Sequence, residues 1–253
     1  MDSAERYYSA PRVLLRQAAQ LVYPRRCPFC RRVLGFVQDC PDCVDEVQAL
    51  ENSPVRRLSE ETYCLAGLDG AASAYLYEGI VRRAVLRSKY EGEAWVAVQL
   101  GCRMTELLYG GQTQVKLGVE LPQKIESFGM GYDLIVPVPA SHKERGYNVP
   151  GLMARPLAKA LGVPLDEGAL RRIHPGQPQA GRSRAERFAN VAGAFDVPKA
   201  GSVEGKRILL VDDVITTGAT VTACTQALLY AGADSVFAVS LAATPSPDKA
   251  SSD

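Results

Sequence analysis

The sequence predicts an α/β protein with a doubly wound, mostly parallel sheet and a small N-terminal zinc-binding module, and two observations carry this prediction. From about residue 71, short apolar runs alternate with segments of helical periodicity, an order typical of a parallel sheet covered by helices on both faces. Four of the seven cysteines lie within residues 27–43, ahead of that alternation. We therefore divide the chain into a helix and four-cysteine module (1–60), a main domain (61–244) and a disordered polar tail (245–253).

Apolar spacing and turn residues place the elements in chain order. Pro24 ends an N-terminal helix, a Glu91-Gly92 turn separates two helices, and Gly162 marks a helix C-terminus. Residues 110–131 are rich in glycine and polar groups, and we expect a long connection or insertion with one weak helix there. We predict helices over 11–23, 80–89, 94–108, 149–161 and 218–230, strands over 74–77, 134–138, 208–211 and 235–241, and a mobile loop over 171–192.

Composition and charge exclude several classes of protein. Hydrophobic residues make up 47% and charged residues 23%, which is ordinary globular usage. The formal net charge is +1, although residues 1–32 carry seven arginines against Asp2 and Glu5. No apolar run is long enough to insert into a membrane, and the first residues lack the apolar core of a signal peptide. We therefore expect a cytoplasmic protein whose cysteines are metal ligands or buried thiols rather than disulfides.

The four clustered cysteines form two CxxC pairs, Cys27 with Cys30 and Cys40 with Cys43, separated by nine residues. Two intervening residues let both sulfurs of a pair point into one tetrahedral site, and four protein ligands close it, as in structural Zn²⁺ sites. A redox pair or chance thiols in a buried loop are the alternatives, but the βαβ context of a redox motif is missing. The remaining cysteines are single and are expected in the core: Cys64, Cys102 and Cys224.

Basic and aromatic residues surround the first cysteine pair. Phe29 and Phe36 could stack on bases of single-stranded DNA, and arginines could meet its phosphates. The alternative is a solvated basic face around the folded cysteines. The arginines are Arg25, Arg26, Arg31 and Arg32.

A run from Ile208 to Thr220 predicts a phosphate site. A buried strand ends in Asp212 and Asp213, and a loop of small residues then opens a helix. Backbone N–H groups, threonine hydroxyls and the positive helix end can hold a phosphate. The carboxylates would repel phosphate but suit sugar hydroxyls and a divalent cation, so the run predicts a sugar phosphate. The alternative is an ordinary capped helix start.

This run resembles the 5-phosphoribosyl-1-pyrophosphate (PRPP) motif of type I phosphoribosyltransferases, and residues 23–243 resemble the ComF family, competence-associated proteins with an N-terminal zinc module. Further matching segments are 89–92 (Lys-Tyr-Glu-Gly), 136–139 (Val-Pro-Val-Pro) and 145–148 (Arg-Gly-Tyr-Asn), followed by Gln179, Arg187 and Asn190. The resemblance implies a type I phosphoribosyltransferase-like fold, Mg²⁺ bound with PRPP, and a role in DNA uptake with a competence helicase as partner.

The resemblance also implies roles for individual residues. Lys89 would lie in a pyrophosphate-contacting loop and act in catalysis, and Arg145 would lie at the ligand edge. Arg187 is our choice among the arginines of a loop that closes over the reacting centre, the others being Arg182 and Arg184. His142 and His174 are expected in solvated loops. The assigned PRPP-binding residues are Asp212, Asp213, Thr216, Thr217, Gly218, Ala219, Thr220, Lys89 and Arg145, with Asp212 and Asp213 near Mg²⁺ directly or indirectly.

Two functions follow from these assignments. In the first, the protein transfers a phosphoribosyl group from PRPP to an unknown acceptor and releases pyrophosphate. In the second, it is a non-catalytic module that binds a phosphoribosyl ligand, a nucleotide or single-stranded DNA and docks on a competence helicase. In either case we expect Cys27→Ser to release zinc and destabilise residues 24–60 without removing PRPP binding.

Overall fold

The computed structural model describes residues 2–52, 57–126, 131–140, 146–173 and 193–245. Two short N-terminal helices and a third helix precede the first strand. In chain order the elements are α1 (Ser3–Tyr7), α2 (Ala10–Ala19), α3 (Val44–Glu51), β1 (Gly70–Leu76), α4 (Gly79–Tyr90), α5 (Ala94–Tyr109), β2 (Thr113–Lys116), β3 (Val119–Pro122), β4 (Leu134–Pro137), α6 (Val149–Leu161), β5 (Arg171–Arg172), β6 (Phe195–Asp196), β7 (Arg207–Ile215), α7 (Ala219–Tyr230) and β8 (Ser235–Ala243).

The central sheet has four parallel strands in the order β1-β8-β7-β4. Successive side chains of β7 enter different cores, because a strand alternates its side chains between two faces. Leu209 and Val211 pack into one core with residues of α4, α5 and α6, whereas Ile208 and Leu210 pack into another with residues of α7. The predicted doubly wound α/β fold is therefore confirmed.

Helices α5 and α6 approach each other closely on one face of the sheet. A Cβ atom at Gly101 would lie 2.4 Å from the Met153 carbonyl oxygen, so only glycine allows this approach. Helix α6 has the predicted bounds, with Pro150 in its first turn and a left-handed Gly162 at its end. Ala4 of α1 belongs to the same buried cluster as residues of these two helices, so the N-terminal helix packs against them.

Residues 110–131 differ from the prediction of one weak helix. Their described part forms the antiparallel hairpin β2-β3, joined by Leu117 and Gly118, both at positive φ. Two central residues at positive φ make the tight connection that matches strand twist. The hairpin contacts the N-terminal part of the chain, since Gln17 donates to the Lys116 carbonyl (3.2 Å) and Gln38 donates to the Thr113 carbonyl (3.1 Å).

The cysteine module packs on the main domain. Cys27, Phe29 and Val47 belong to the same buried cluster as Val81 of α4 and Leu100 of α5. The module therefore shares a core with helices that border the sheet. Among the described residues, no helix combines the length and the apolar composition required to cross a membrane.

Candidate functional site

Two adjacent carboxylates are buried near the carboxyl end of β7. Asp212 and Asp213 are 7% and 6% exposed, and the Asp213 N–H donates to Asp212 Oδ1 at 2.8 Å. The predicted strand ends at Val211, but β7 continues through both aspartates to Ile215. The reason is that the pairing with β8 persists, with Asp212 opposite Ser240. The strand therefore holds both carboxylates in a fixed extended backbone.

A lysine from another element meets these carboxylates. Lys89, in the last turn of α4, lies with Nζ 2.8 Å from Asp213 Oδ1. Burial acts to lower the pKa of Lys89, but the Asp213 and Asp212 charges outweigh it and raise that pKa above its ordinary value. Lys89 is thus a firmly charged cation beside the two acids.

The surroundings of Asp212 disfavour its charged form, whereas those of Lys89 favour its charged form. Burial and the neighbouring Asp213 charge raise the pKa of Asp212 to about 7, although Lys89 and Arg172 act to lower it. A cation or a hydroxyl donor that comes close to Asp212 stabilises its ionised form and lowers its pKa. The arrangement suits a ligand that brings hydroxyls or a divalent cation to Asp212.

The carboxylates and Lys89 line one cleft. Its walls come from the ends of α4, β4 and β7, from the starts of α6 and α7, and from β5. Crevices at the carboxyl ends of parallel strands are the usual ligand sites of open α/β sheets. The lining residues are Lys89, Tyr90, Val138, Pro139, Ala140, Asn148, Pro150, Arg172, Asp212, Asp213, Val214 and Thr220.

Two polar side chains of the cleft have unsatisfied atoms. Asn148 donates through Nδ2 to the Val138 carbonyl (3.0 Å), while Asn148 Oδ1 and Arg172 Nε have no hydrogen-bond partner within the described ranges. Arg172 stacks its guanidinium 4.5 Å from the centre of the Phe195 ring, and burial lowers its pKa. Sequence reasoning missed Arg172, because it placed residues 171–192 in a mobile loop without seeing the short β5-β6 pair.

The loop between β7 and α7 is shaped by a distant segment. Gly218 has φ +83°, and a Cβ atom there would lie 2.2 Å from the Cys64 carbonyl oxygen. The Cys64 N–H donates to the Thr217 carbonyl (2.8 Å), and the Thr222 hydroxyl donates to the Cys64 carbonyl (2.6 Å). Gly218 has no side chain to cap α7, although the Thr217 hydroxyl accepts a long hydrogen bond from the Ala219 N–H (3.4 Å), and a helix start of this kind suits an anion.

The structure brings together part of the predicted set. Lys89, Asp212, Asp213 and Thr220 line the cleft, and residues 216–219 form the adjoining loop and helix start. Other predicted residues lie outside the described ranges: Arg145, Arg187, Arg182, Arg184, Gln179, Asn190, His142 and His174.

The four clustered cysteines have a geometry that suits a metal ion. All four sulfur atoms lie within 4.8 Å of one another, with Cys27 to Cys43 at 3.9 Å and Cys30 to Cys40 at 3.5 Å. Zinc–sulfur bonds of about 2.3 Å in a tetrahedron place sulfurs about 3.8 Å apart. Burial raises the pKa of Cys27 to about 11 and that of Cys43 further, so these two thiolates need a cation here, whereas hydrogen bonds outweigh burial at Cys30 and lower its pKa. The residues therefore fit zinc.

The other cysteines lie apart from the four-cysteine cluster. Cys102 and Cys224 are buried as predicted, whereas Cys64 is only half-buried.

The predicted basic and aromatic surface around the first cysteine pair is present in part. Phe29 is 7% exposed and cannot stack on bases, because it packs in the core. Arg25 pairs with Glu120, Arg32 with Asp42, and Arg31 with Glu91 and Glu93. The Arg25 side chain is largely buried, whereas Arg26, Arg31, Arg32 and Phe36 are exposed as predicted, Arg31 and Arg32 within ion pairs.

Comparisons with known proteins agree with this architecture. The sequence model of the phosphoribosyl transferase domain matches residues 151–253. The chain is 32% identical over 214 residues to competence protein F of Haemophilus influenzae, a match covering 83% of this chain and 86% of that protein. It is 26% identical over 209 residues to competence protein ComFC of Bacillus subtilis, covering 81% of this chain and 72% of that protein.

A shorter match involves the DNA utilization protein YhgH of Salmonella typhi. The identity is 38% over 109 residues, which cover 41% of this chain and 46% of that protein. The chain therefore matches about half the length of this relative.

Proposed function

Because this chain belongs to the ComF family of competence-associated proteins, we propose that its cleft binds PRPP with Mg²⁺ and that it transfers the phosphoribosyl group to an acceptor, with release of pyrophosphate. The observation that carries the proposal is the pair of buried carboxylates, Asp212 and Asp213, with Lys89 at the carboxyl end of the sheet. Acids and a cation in one cleft match a ligand that carries both hydroxyls and phosphates.

Each part of the cleft has a role in this proposal. Asp212 and Asp213 accept hydrogen bonds from the two ribose hydroxyls, which relieves the cost of burying both charges. The loop of residues 216–218 and the first turn of α7 hold the 5′-phosphate through N–H groups and threonine hydroxyls. Lys89 exchanges part of its contact with Asp213 for the pyrophosphate. Asp212 and Asp213 would lie beside a Mg²⁺ bound together with PRPP, and that ion would offset the pyrophosphate charge.

The reaction needs no covalent bond to the protein. The acceptor forms a bond to C1 of the ribose as the C1–O bond to pyrophosphate breaks, and the electron pair leaves with the pyrophosphate. The chain contributes orientation and cations that match the growing charge on the leaving group. Lys89 and Arg172 supply two such cations, and we assign Arg145 and Arg187 to the same task.

The cysteine module has a structural role in this proposal. The four cysteines hold Zn²⁺ with no open position, so that the metal stabilises the module and takes no part in the transfer. A competence role brings DNA or a competence helicase as partner.

A non-catalytic binding module is the second candidate function, and one observation favours it. Arg26 and Phe36 are exposed on the cysteine module, are not among the residues that line the cleft, and offer a contact for single-stranded DNA. In this case the cleft binds its phosphoribosyl ligand as a signal.

Pyrophosphate release separates the two candidates. The zinc-loaded full chain is incubated with PRPP, Mg²⁺ and a mixture of bases and single-stranded DNA, beside the double variant Asp212→Asn/Asp213→Asn. Asp234→Asn, exposed at the start of β8, is the matched control. Release by the wild type and the control but not by the double variant supports the transferase. Binding of PRPP without release supports the binding module, and absence of binding contradicts both.

A further inference from the structure

The first cysteine pair contacts the helix that carries Lys89. Arg87, in the last turn of α4, donates to the carbonyls of Pro28 and Phe29, the two residues between Cys27 and Cys30, and the second contact is 3.0 Å. Arg87 is only 7% exposed. A buried guanidinium that donates to two carbonyls fixes the helix against this turn of the module.

Arg31 makes a second link, and its backbone is unusual. It follows Cys30 directly and has φ +68°, a left-handed conformation that favours glycine. Its side chain pairs with Glu91 and with Glu93, the latter at 3.1 Å. Because glycine would relieve the strain at this position, the presence of arginine indicates that its side chain has a structural or functional role. The contribution visible here is the connection to the turn that ends α4.

These links place Lys89 between two fixed surfaces. Side chains two residues apart in a helix point about 200° apart, since a helix has about 3.6 residues per turn. Arg87 therefore faces the cysteine module while Lys89 faces Asp213. Between them, the Ser88 carbonyl accepts a hydrogen bond from the Tyr147 hydroxyl (2.8 Å), next to Asn148 of the cleft. The last turn of α4 is held on both sides.

We propose that Arg31 and Arg87 are positioning residues through which the first cysteine pair sets the geometry of Lys89, so that ligand affinity in the cleft depends on the cysteine module. This inference rests on the proposed PRPP site. The Pro28 and Phe29 carbonyls, which accept hydrogen bonds from Arg87, lie between Cys27 and Cys30 and are held in place by these cysteines. The inference therefore gives the cysteine module a second role, in addition to its own stability.

Two variants and two controls test the inference. Arg31→Gly relieves the left-handed backbone but removes the pairs with Glu91 and Glu93, while Arg87→Met keeps helix propensity and removes both carbonyl contacts. Arg32→Ala and Arg83→Met are the matched controls, since Arg32 pairs with Asp42 within the module and Arg83 is exposed on α4. We expect both test variants to retain one zinc per chain. Arg87→Met should bind Mg²⁺-PRPP about tenfold more weakly in calorimetry, and Arg31→Gly, whose ion pairs are half-exposed, about twofold to threefold more weakly, while the controls match the wild type.

Hydrogen exchange without ligand separates this inference from the proposed function. In both test variants, amides of residues 87–92 should exchange several-fold faster, while those of α6 stay unchanged. If the wild type fails to bind PRPP, the proposed function fails, and faster exchange still supports the link between module and helix. Wild-type exchange in both test variants overturns the inference. A loss of affinity that Arg83→Met shares would assign the effect to α4 as a whole and also overturn it.

Discussion

The cysteine cluster and the carboxylate cleft are built in opposite ways. The cluster takes all its ligands from residues 27–43, whereas the cleft takes its walls from six elements between Lys89 and Thr220. Ligands close in sequence reveal their chemistry through spacing alone, because a short loop has few ways to fold. A cleft assembled from distant elements reveals only the segment that carries a local pattern. The two regions should therefore respond differently to single substitutions.

The largest effect is expected at the cluster itself. Cys27→Ser removes one of four ligands, and we expect loss of zinc and destabilisation of residues 24–60, because structural zinc contributes on the order of 10 kcal/mol to folding a small module. Zinc content and limited proteolysis measure this. Cys64→Ser, half-buried outside the cluster, is the control and should keep its zinc. Full zinc content in Cys27→Ser would contradict the four-cysteine site.

The same variant tests whether ligand binding in the cleft depends on the cysteine module. From the sequence we expect PRPP binding to survive this change, whereas the contacts of Arg31 and Arg87 with the α4 end predict weaker binding. Calorimetry on zinc-free Cys27→Ser decides between these expectations.

The next largest effect is expected at Gly218. Alanine there is disfavoured at φ +83° and would place Cβ 2.2 Å from the Cys64 carbonyl. We expect a loss of about 2–4 kcal/mol in the free energy of unfolding, from strain and overpacking together. Denaturant titration measures it. Gly201→Ala, with open space around it, should change stability by less than about 0.5 kcal/mol. Equal effects at both glycines would show that Cys64 does not fix the loop.

The two carboxylates should differ in sign. Asp212→Asn removes a charge whose burial raises its pKa, and we expect the ligand-free protein to gain on the order of 1 kcal/mol at pH 8. Asp213→Asn leaves Lys89 without its 2.8 Å partner, and we expect a loss of similar size. Thermal unfolding of both variants measures this. Destabilisation by both would contradict the account of Asp212.

The sign of the pH dependence follows from the same pKa. The folded protein holds the Asp212 proton up to about pH 7, while the unfolded chain releases it near pH 4. The contribution of Asp212 to stability is therefore lost as pH rises from 4 through about 7. Since PRPP should need the ionised form, its affinity should rise over the upper part of this range. A pH-independent affinity in the wild type would be the contrary result.

The smallest effect is expected in the β5-β6 pair, which carries Arg172 of the cleft. Arg171 and Asp196 pair at 2.7 Å, but both side chains are well exposed. Asp196→Asn should cost less than about 1 kcal/mol in the free energy of unfolding, because exposed pairs contribute little. Denaturant titration measures it. A larger loss would show that the β5-β6 pair supports the cleft more than its exposure suggests.

Particular residues show which parts of the fold and of the cleft could be predicted from the sequence. Pro150 and Gly162 mark both ends of α6 through local backbone preferences, so its bounds were predicted correctly. The hairpin around Leu117 was missed because each of its strands has only four residues, too few for a clear alternation of polar and apolar side chains. The extension of β7 through Asp212 depends on pairing with β8, a contact between distant segments. Arg172 was missed for the same reason, since only the fold brings it to the cleft.

The most direct test of the central claim is calorimetric titration of the zinc-loaded full chain with PRPP, with and without Mg²⁺, alongside Asp212→Asn/Asp213→Asn. The account predicts one Mg²⁺-dependent site per chain in the wild type and loss of that site in the double variant, whose fold remains intact by circular dichroism. Wild-type affinity in a folded double variant, or no binding by the wild type, would contradict the assignment of this cleft to PRPP.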